Sequence, residues 1–399
     1  MWMGEGNFTY RPLSMRSSAA VSAQPVTRAP RTTKHPLLLY LAPPAAALCY
    51  PLVLALFHLS VTHASSWWMA LRAPLLLAAI VEPVPGIYAY WRLGAEESPS
   101  PTQVRAKVLA LLSVGAPPLY TALGVVLTMA HNVVSDLAVW PVIWAAATAL
   151  LLGWQARTST TEPLAKPRLL PRLRYAHGIS AAVIVCIFLA MHLINHLAGL
   201  WSEAAHRMLM GAFRHVYRAG VVEPVLVALL MFQVVSGPFL VWQYARRSVD
   251  LMRTLQIASG VYLLFFVPAH MNSVFIYARA VAGIPTDWNF ATGAPTGILL
   301  DAWNIRLLPH YLLGVFFVLT HLVLGARVIA LAHDSGRRTA DRLALTGIAL
   351  AATVSIAIML GMVGVHLGPR APLPAHTTAT SRLNTSLQTQ DDLALRSRQ

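Results

Sequence analysis

Three histidines in a long apolar stretch are the residues of this sequence best suited to chemistry. His177, His192 and His196 fall within residues 172–199, RLRYAHGISAAVIVCIFLAMHLINHLAG. An ionisable side chain inside a membrane is costly, so its presence there marks a candidate functional site. Neutral imidazole is also the commonest protein ligand for metals and for haem iron. The side chain that faces His192 therefore decides which chemistry is open to it.

Counting residues from the ends of the apolar stretches predicts which histidines share a depth in the membrane. A helix rises about 1.5 Å per residue, and on this scale His192 and His270 lie at one level in the outer half of the membrane. Two facing histidines at one depth are what two-histidine ligation of a haem iron requires. His58 and His131 form a similar predicted pair, closer to the outer surface. The alternative for each of these side chains is a hydrogen bond to a backbone carbonyl between helices.

A deeper level combines one more histidine with a glutamine. His321 and Gln233 are predicted to share this level. Glutamine is a poor ligand for haem iron. The inner site is therefore predicted to be either empty or five-coordinate on His321.

The composition is that of a membrane protein. Of the 399 residues, 56% are hydrophobic and only 11% are charged, and the mean hydropathy is +0.58. Several apolar runs exceed the roughly 18 residues needed to cross a bilayer as a helix. The net charge of +15 does not indicate nucleic-acid binding, because Lys and Arg lie in short loops between these runs. Cys49 and Cys186 lie singly in apolar spans and are interpreted as small core residues.

The sequence predicts an all-α polytopic membrane bundle of about nine transmembrane helices. The spans are expected at 36–60, 73–91, 107–131, 137–154, 175–200, 221–244, 255–278, 307–331 and 343–366, with an amphipathic connection at 201–219. Basic loops follow the even-numbered spans, which places the N-terminus inside and the C-terminus outside. Disordered tails are predicted at 1–35 and 367–399, and a basic cytoplasmic linker at 156–173.

Two copies of a short motif indicate an internal duplication. VEPV occurs at 81–84 and 222–225, each time after a histidine-bearing span and before a span that contains Ala-His. Because the copies are four spans apart, both would have the same orientation, as in parallel repeats. The predicted architecture is two tandem parallel four-helix repeats plus one extra helix. The N-terminal repeat covers 36–155 and the C-terminal five-helix domain covers 174–366.

Residues 174–366 resemble the five-helix cytochrome b subunit of menaquinone-type succinate dehydrogenases and fumarate reductases. The matching segments are, in order, RYAHGIS, MHLINH, AAHRM, Glu223 ten residues before Gln233, LQIASGV and GVFFVLTHLVLG. The resemblance implies a protein of a bacterial inner (cytoplasmic) membrane with one or two b haems. It also implies menaquinone or ubiquinone as the electron-exchange partner.

The same resemblance implies roles for individual residues. In that family the first and third helices carry the outer haem's ligands, which correspond to His192 and His270. The second and fourth helices carry the inner ligands; His321 matches, whereas Gln233 stands where the family has its histidine. Glu223 occupies a place comparable to an acidic residue implicated in proton transfer from menaquinol.

The soluble partners of the resembled family, a flavoprotein and an iron–sulfur protein, are absent from this sequence. It contains no GxGxxG-type flavin loop and no cysteine cluster, so at most it is the non-flavin membrane subunit of a quinone oxidoreductase. The lipid bilayer is an expected partner from the composition, and the resemblance implies a quinone and flavoprotein and iron–sulfur subunits on the cytoplasmic side as further partners. Two other classes stay open: a quinone- or redox-sensing membrane module, and a haem-free transporter or scaffold, for which parallel repeats and midplane polar residues are also typical.

Overall fold

The computed structural model describes residues 36–95, 99–153, 170–244 and 247–368. Most of these residues are in helices, and no strand occurs among them. The predicted tail at 1–35 lies outside the described residues, as do most of the linker at 156–173 and nearly all of the tail at 367–399. The predicted all-α class is confirmed for the described part of the chain.

Six helices form the first half of the chain, and prolines and glycine break two of the long apolar stretches. Pro83 cannot donate a backbone hydrogen bond, so the helix stops before it and restarts with a 41° bend. Gly115, followed by Pro117 and Pro118, produces a second bend of 62°. The helices are α1 (Pro36–Thr62), α2 (Ser66–Ile80), α3 (Pro83–Leu93), α4 (Pro101–Val114), α5 (Ala116–Met129) and α6 (Asp136–Gly153).

The second half contains longer helices, two of which include π-helical turns. Such turns are frequent at functional sites. One π segment, Val185–Leu189, joins α7 (Pro171–Ile184) to α8 (Ala190–Trp201). The other, Asn272–Val281, continues from the end of α11 (Leu251–Met271). The remaining helices are α9 (Glu203–Tyr217), α10 (Val222–Trp242), α12 (Trp288–Thr292), α13 (Leu307–Ala332) and α14 (Arg337–Met362), with a 3-10 turn at Asn304–Arg306.

The helix lengths and composition are those of a multi-pass membrane protein. Six helices are long and apolar enough to cross a bilayer, and each bent pair, α2 with α3 and α4 with α5, adds one more if it counts as a single span. A shorter apolar helix covers Asp136–Leu152. Among the described helices there are therefore six to eight candidate spans. The predicted amphipathic connection is the separate helix α9.

Hydrogen bonds near the helix termini define two ends of the bundle. At one end, here called the α9 end, the Leu367 N–H donates to the Leu200 carbonyl, and His58 Nε2 lies 3.1 Å from the Leu300 carbonyl. At the opposite end, the Val249 N–H donates to the Gly94 carbonyl, and the Lys107 ammonium donates to the Arg247 carbonyl at 3.3 Å. Each long helix therefore has one terminus at each end, which fixes the relative depth of its side chains.

The two halves of the sequence share one core. Tyr90 and Val114 from the first half pack in one cluster with Tyr262 and Phe317 from the second. At the α9 end, Arg306 forms an ion pair of 2.8 Å with Asp136 of α6, and the Arg306 side chain is only 7% exposed. The residues predicted as separate segments at 36–155 and 174–366 thus pack against each other.

Two details differ from the sequence analysis. Cys49 and Cys186 are exposed on the bundle surface and are not core residues; in an apolar span that surface contacts lipid, where a thiol is tolerated. The two VEPV motifs also occupy different positions. The first breaks a helix in the middle of the α2–α3 pair, whereas the second lies in the first turn of α10.

Candidate functional site

The structure brings His192 and His270 together. His192 lies on α8 and His270 on α11, and the centres of their rings are 6.1 Å apart with an interplanar angle of 67°. Both side chains are half-buried between membrane helices. The residue count from the sequence predicted that these two imidazoles share a level, and their rings are neighbours in the structure.

The spacing of this pair fits a single metal centre. A bond between a first-row metal and imidazole nitrogen is about 2 Å, so two ligands on opposite sides place their nitrogens about 4 Å apart. The ring centres lie further out than the nitrogens, and 6.1 Å between centres accommodates this. Within the described ranges, no group of three or more His, Cys, Asp or Glu side chains is placed so that it could hold a metal ion. A haem iron needs only two protein ligands, which His192 and His270 would supply.

Aromatic side chains flank the pair on both helices. Phe188 stacks on His192 with ring centres 4.9 Å apart, and Phe266 lies nearly parallel to His270 at 5.7 Å. Each phenylalanine precedes its histidine by four residues, so it lies on the same helix face one turn away. Flat apolar walls of this kind are the contacts that a planar macrocycle needs.

Three arginines lie beside this site at the α9 end. Arg214 and Arg218 both donate to Thr286, at 2.6 and 2.7 Å, and Arg279 forms a 2.7 Å ion pair with Glu223. The Nε atoms of all three are buried without a hydrogen-bond partner in the described structure. Unsatisfied buried donors on cations are costly. They fit the two carboxylates that a haem carries on one edge.

Two aromatic side chains connect the arginines to the histidine pair. Tyr217, next to Arg218 at the end of α9, lies 5.3 Å from Phe188, which in turn stacks on His192. Burial lowers the pKa of Arg218, and the neighbouring guanidinium groups of Arg214 and Arg279 lower it further. Mutual repulsion of this kind favours an anion at the cluster.

Two further histidines continue from His192 toward the surface. The ring of His196 is 4.7 Å from that of His192, and His206 on α9 is 5.3 Å from His196. Asn195 holds His206 through a 3.1 Å bond to its Nε2. Burial lowers the pKa of His206 to about 4, and the charge of Arg214 acts in the same direction. His206 is therefore neutral at pH 7.

A second histidine pair lies toward the opposite end and was not predicted. The ring of His177 on α7 is 6.4 Å from that of His321 on α13, with an interplanar angle of 77°. This separation is close to that of His192 and His270. From depth alone, His321 was predicted to share its level with Gln233, and His177 was not considered as its partner. The available signal was the RYAHGIS segment itself, which places a histidine on the helix that carries His192.

Hydrogen bonds fix the tautomers of this second pair. Ser236 donates to the Phe232 carbonyl at 2.6 Å, so its oxygen accepts from His177 Nδ1 at 2.7 Å. His321 Nδ1 lies 3.1 Å from the Gln256 carbonyl, which can only accept. Both Nδ1 atoms therefore carry the proton, and both Nε2 atoms keep their lone pair. This is the outer-shell pattern that metal-ligating histidines show.

Gln233 and a glycine support the second pair without ligating. The Gln233 amide donates to the His177 carbonyl at 2.8 Å and to the Ser180 hydroxyl. On α11, a Cβ atom at Gly260 would lie 3.0 Å from Cε1 of the His321 ring. The absence of a side chain there lets α11 pass close to the imidazole.

The two pairs are stacked along one helix. His177 and His192 both belong to the 31-residue apolar stretch Pro171–Trp201. Fifteen residues at 1.5 Å each separate them by roughly 22 Å along the axis, and the π segment lies between them. One pair therefore lies toward each end of the bundle.

The remaining predicted site residues are placed elsewhere. His58 Nε2 lies 3.1 Å from the Leu300 carbonyl, whereas His131 is exposed, with a backbone φ of 58° in the turn after α5. In the described structure no ring contact joins these two histidines. Glu223 lies in the first turn of α10, at the α9 end, where it is paired with Arg279. It thus lies at the same end of the bundle as the His192 pair, with a cationic partner that the sequence did not indicate.

Comparison with known proteins identifies no relative. No protein-family model matches the chain, and neither a characterised protein nor a solved structure is significantly similar to it.

Proposed function

We propose that this protein is a membrane-bound b-type cytochrome with two haem sites, which exchanges electrons between the quinone pool and a partner protein. The observation that supports it is the pair of facing histidines at each of two depths, 6.1 and 6.4 Å apart. Each pair joins two different apolar helices. A single pair is also compatible with histidines that only form hydrogen bonds between helices. Two pairs with similar ring separations, each with one histidine on the same apolar stretch, favour two sites for the same cofactor.

Specific residues would hold each group. His192 and His270 would ligate the haem at the α9 end, with Arg214 and Arg218 receiving its carboxylates. His177 and His321 would ligate the second haem in place of the predicted His58 and His131. When bound, each haem would supply a one-electron carrier, and the four histidines and the buried surroundings would set its potential.

Quinol chemistry is proposed for the α9 end. Oxidation of a quinol releases protons together with electrons, so a proton acceptor is needed beside the electron acceptor. Glu223 is ion-paired with Arg279 at 2.7 Å and lies on the same side of the bundle as His192. Glu223 would be the proton acceptor, and Arg279 would hold its carboxylate in place.

We further propose that this cytochrome crosses the membrane nine times. Each bent pair would cross the membrane once and α6 would cross as a short span, which gives nine crossings with the six long helices. The N-terminus would lie inside a bacterial cytoplasmic membrane and the C-terminus outside. Flavoprotein and iron–sulfur subunits would then contact the cytoplasmic side, and the two VEPV motifs would derive from a tandem duplication whose copies have diverged.

A spectrum tests the proposed function. The purified protein is expected to show a haem b α-band in its reduced-minus-oxidised spectrum, and a menaquinol analogue is expected to reduce that haem. The control is His131→Ala, which alters an exposed histidine outside both pairs and is expected to leave the spectrum unchanged. Absence of an α-band would overturn the proposal and favour a haem-free transporter.

A further inference from the structure

A buried glutamate in the first half of the chain is not used by the proposed haem sites. Glu82 is 5% exposed, and neither carboxylate oxygen has a hydrogen-bond partner in the described structure. It lies in the break between α2 and α3 that Pro83 causes. At 1.5 Å per residue, Glu82 is about 24 Å from the Ser66 end of the bent pair and about 17 Å from the Leu93 end. It therefore lies near the middle of the span.

Two tyrosines from neighbouring helices lie close to the break that carries this carboxyl. Tyr50 of α1 packs in one cluster with Ala79, three residues before Glu82, and Tyr262 of α11 packs in another with Ala89 of α3. The Tyr50 hydroxyl is buried without a partner, whereas the Tyr262 hydroxyl donates to the His310 carbonyl at 3.4 Å. Among the described residues no cation forms an ion pair with Glu82. An ionised carboxylate without a partner is strongly disfavoured at this depth.

A row of neighbouring side chains leads from Tyr50 to the α9 end. The Tyr50 ring is 6.0 Å from that of Tyr120, and the Arg306 guanidinium lies 4.4 Å from the Tyr120 ring. Arg306 and its partner Asp136 line a cavity of about 330 Å³ whose wall includes the exposed Asn132. A water occupies about 30 Å³ of liquid volume, so the cavity has room for several.

We propose that Glu82 is a membrane-buried proton-binding site that exchanges its proton with the aqueous phase at the α9 end. In its resting form it is a neutral carboxylic acid. Because Glu82 and Tyr50 are not hydrogen-bonded to each other, a water between them takes the proton from Glu82 on release and passes one to the Tyr50 oxygen. The Tyr50 hydroxyl proton then moves on toward water in the Asp136–Arg306 cavity, and return reverses these transfers. No electron is transferred, so this site is independent of haem binding.

Infrared spectroscopy of the protein in lipid vesicles tests the protonated state. The carbonyl stretch of a protonated carboxylic acid is expected at pH 7 in the wild type, absent in Glu82→Gln and present in Glu223→Gln. A hydrophobic carbodiimide, which reacts with protonated carboxyls in membranes, is expected to label the wild type at Glu82. Absence of both the band and the label in the wild type would show that Glu82 is ionised and would overturn the proposal. Because both readouts are taken on the wild type, misfolding of Glu82→Gln does not remove the test.

Transfer into deuterated water tests the exchange route. The wild-type band is expected to shift as the proton exchanges, and Tyr50→Phe is expected to slow this shift by about tenfold or more. Tyr90→Phe is the matched control. It also removes a buried, unpartnered hydroxyl, but Tyr90 lies toward the opposite end, 5.0 Å from the Lys107 ammonium. A band that does not shift, or equal slowing by both variants, would overturn exchange through Tyr50.

Discussion

The hydrogen bond between Ser236 and His177 gives the sharpest test of the second haem site. Ser236 Oγ accepts from His177 Nδ1 at 2.7 Å and is its only hydrogen-bond partner in the described structure. Ser236→Ala leaves that donor unsatisfied inside the bundle, which costs about 1–3 kcal/mol. Since about 1.4 kcal/mol corresponds to tenfold, haem affinity at this site should fall roughly 5- to 150-fold. Loss of outer-shell partners of metal-binding histidines has effects of that size, about 10- to 100-fold.

The matched control is Ser259→Ala on the other side of the same pair. Ser259 lies 3.1 Å from His321 Nδ1, but the Gln256 carbonyl lies at the same distance and remains after the substitution. The expected loss of affinity is therefore less than about threefold. The assay is transfer of haem to an excess of a haem-free globin, followed by absorbance. Equal rates for the two variants, or faster loss from the site of His192, would refute the reasoning.

Three further predictions concern other contacts of the bundle. His192→Ala and His270→Ala should each remove the same spectral component, and the double variant no more than either; distinct losses in difference spectra would disprove a shared iron. Glu223→Gln should keep the haem but slow its reduction by a menaquinol analogue about tenfold or more, as measured by stopped flow with dithionite as control. Unchanged quinol kinetics would make Glu223 a packing residue. Asp136→Asn should lower the free energy of unfolding by about 3 kcal/mol, the lower end for a broken buried pair, because Arg306 keeps its contacts with aromatic rings; no change on unfolding in mixed micelles would contradict this.

Membrane class and helix positions could be predicted because the bilayer imposes a minimum apolar length on each span. The expected spans at 307–331 and 221–244 correspond closely to α13 and α10, Leu307–Ala332 and Val222–Trp242. The breaks within the apolar stretches were harder to predict from the sequence. The span expected at 73–91 is the bent pair α2–α3, and the prolines that divide it are compatible with either a kink or a break.

Depth counting brought out one histidine pair and missed the other for a physical reason. His192 and His270 lie well inside their spans, so an error of a few residues at a span end changes their level little. His177 was expected two residues from the end of a span starting at 175, but its helix begins at Pro171, which places the imidazole deeper. The lateral packing of the helices also matters, because it decides which helix faces His321. Apolar periodicity does not specify that packing.

The surroundings of individual polar side chains could not be predicted from the sequence. The pairing of Glu223 with Arg279 and the burial of Glu82 arise from residues far apart in the chain. The VEPV motif placed both glutamates in equivalent positions, yet one is at the α9 end and the other near the middle of a span. A short motif specifies local backbone preference through its proline; the surroundings of its carboxyl come from tertiary packing.

Haem content per polypeptide tests the central claim most directly. Two haems per chain are expected in the purified wild type, one in His177→Ala, one in His192→Ala and none in the double variant, whereas His131→Ala keeps both. Dithionite-reduced pyridine haemochrome absorbance, divided by protein concentration from amino-acid analysis, provides the count. A wild type with no haem, or a double variant that still binds one, would contradict the account.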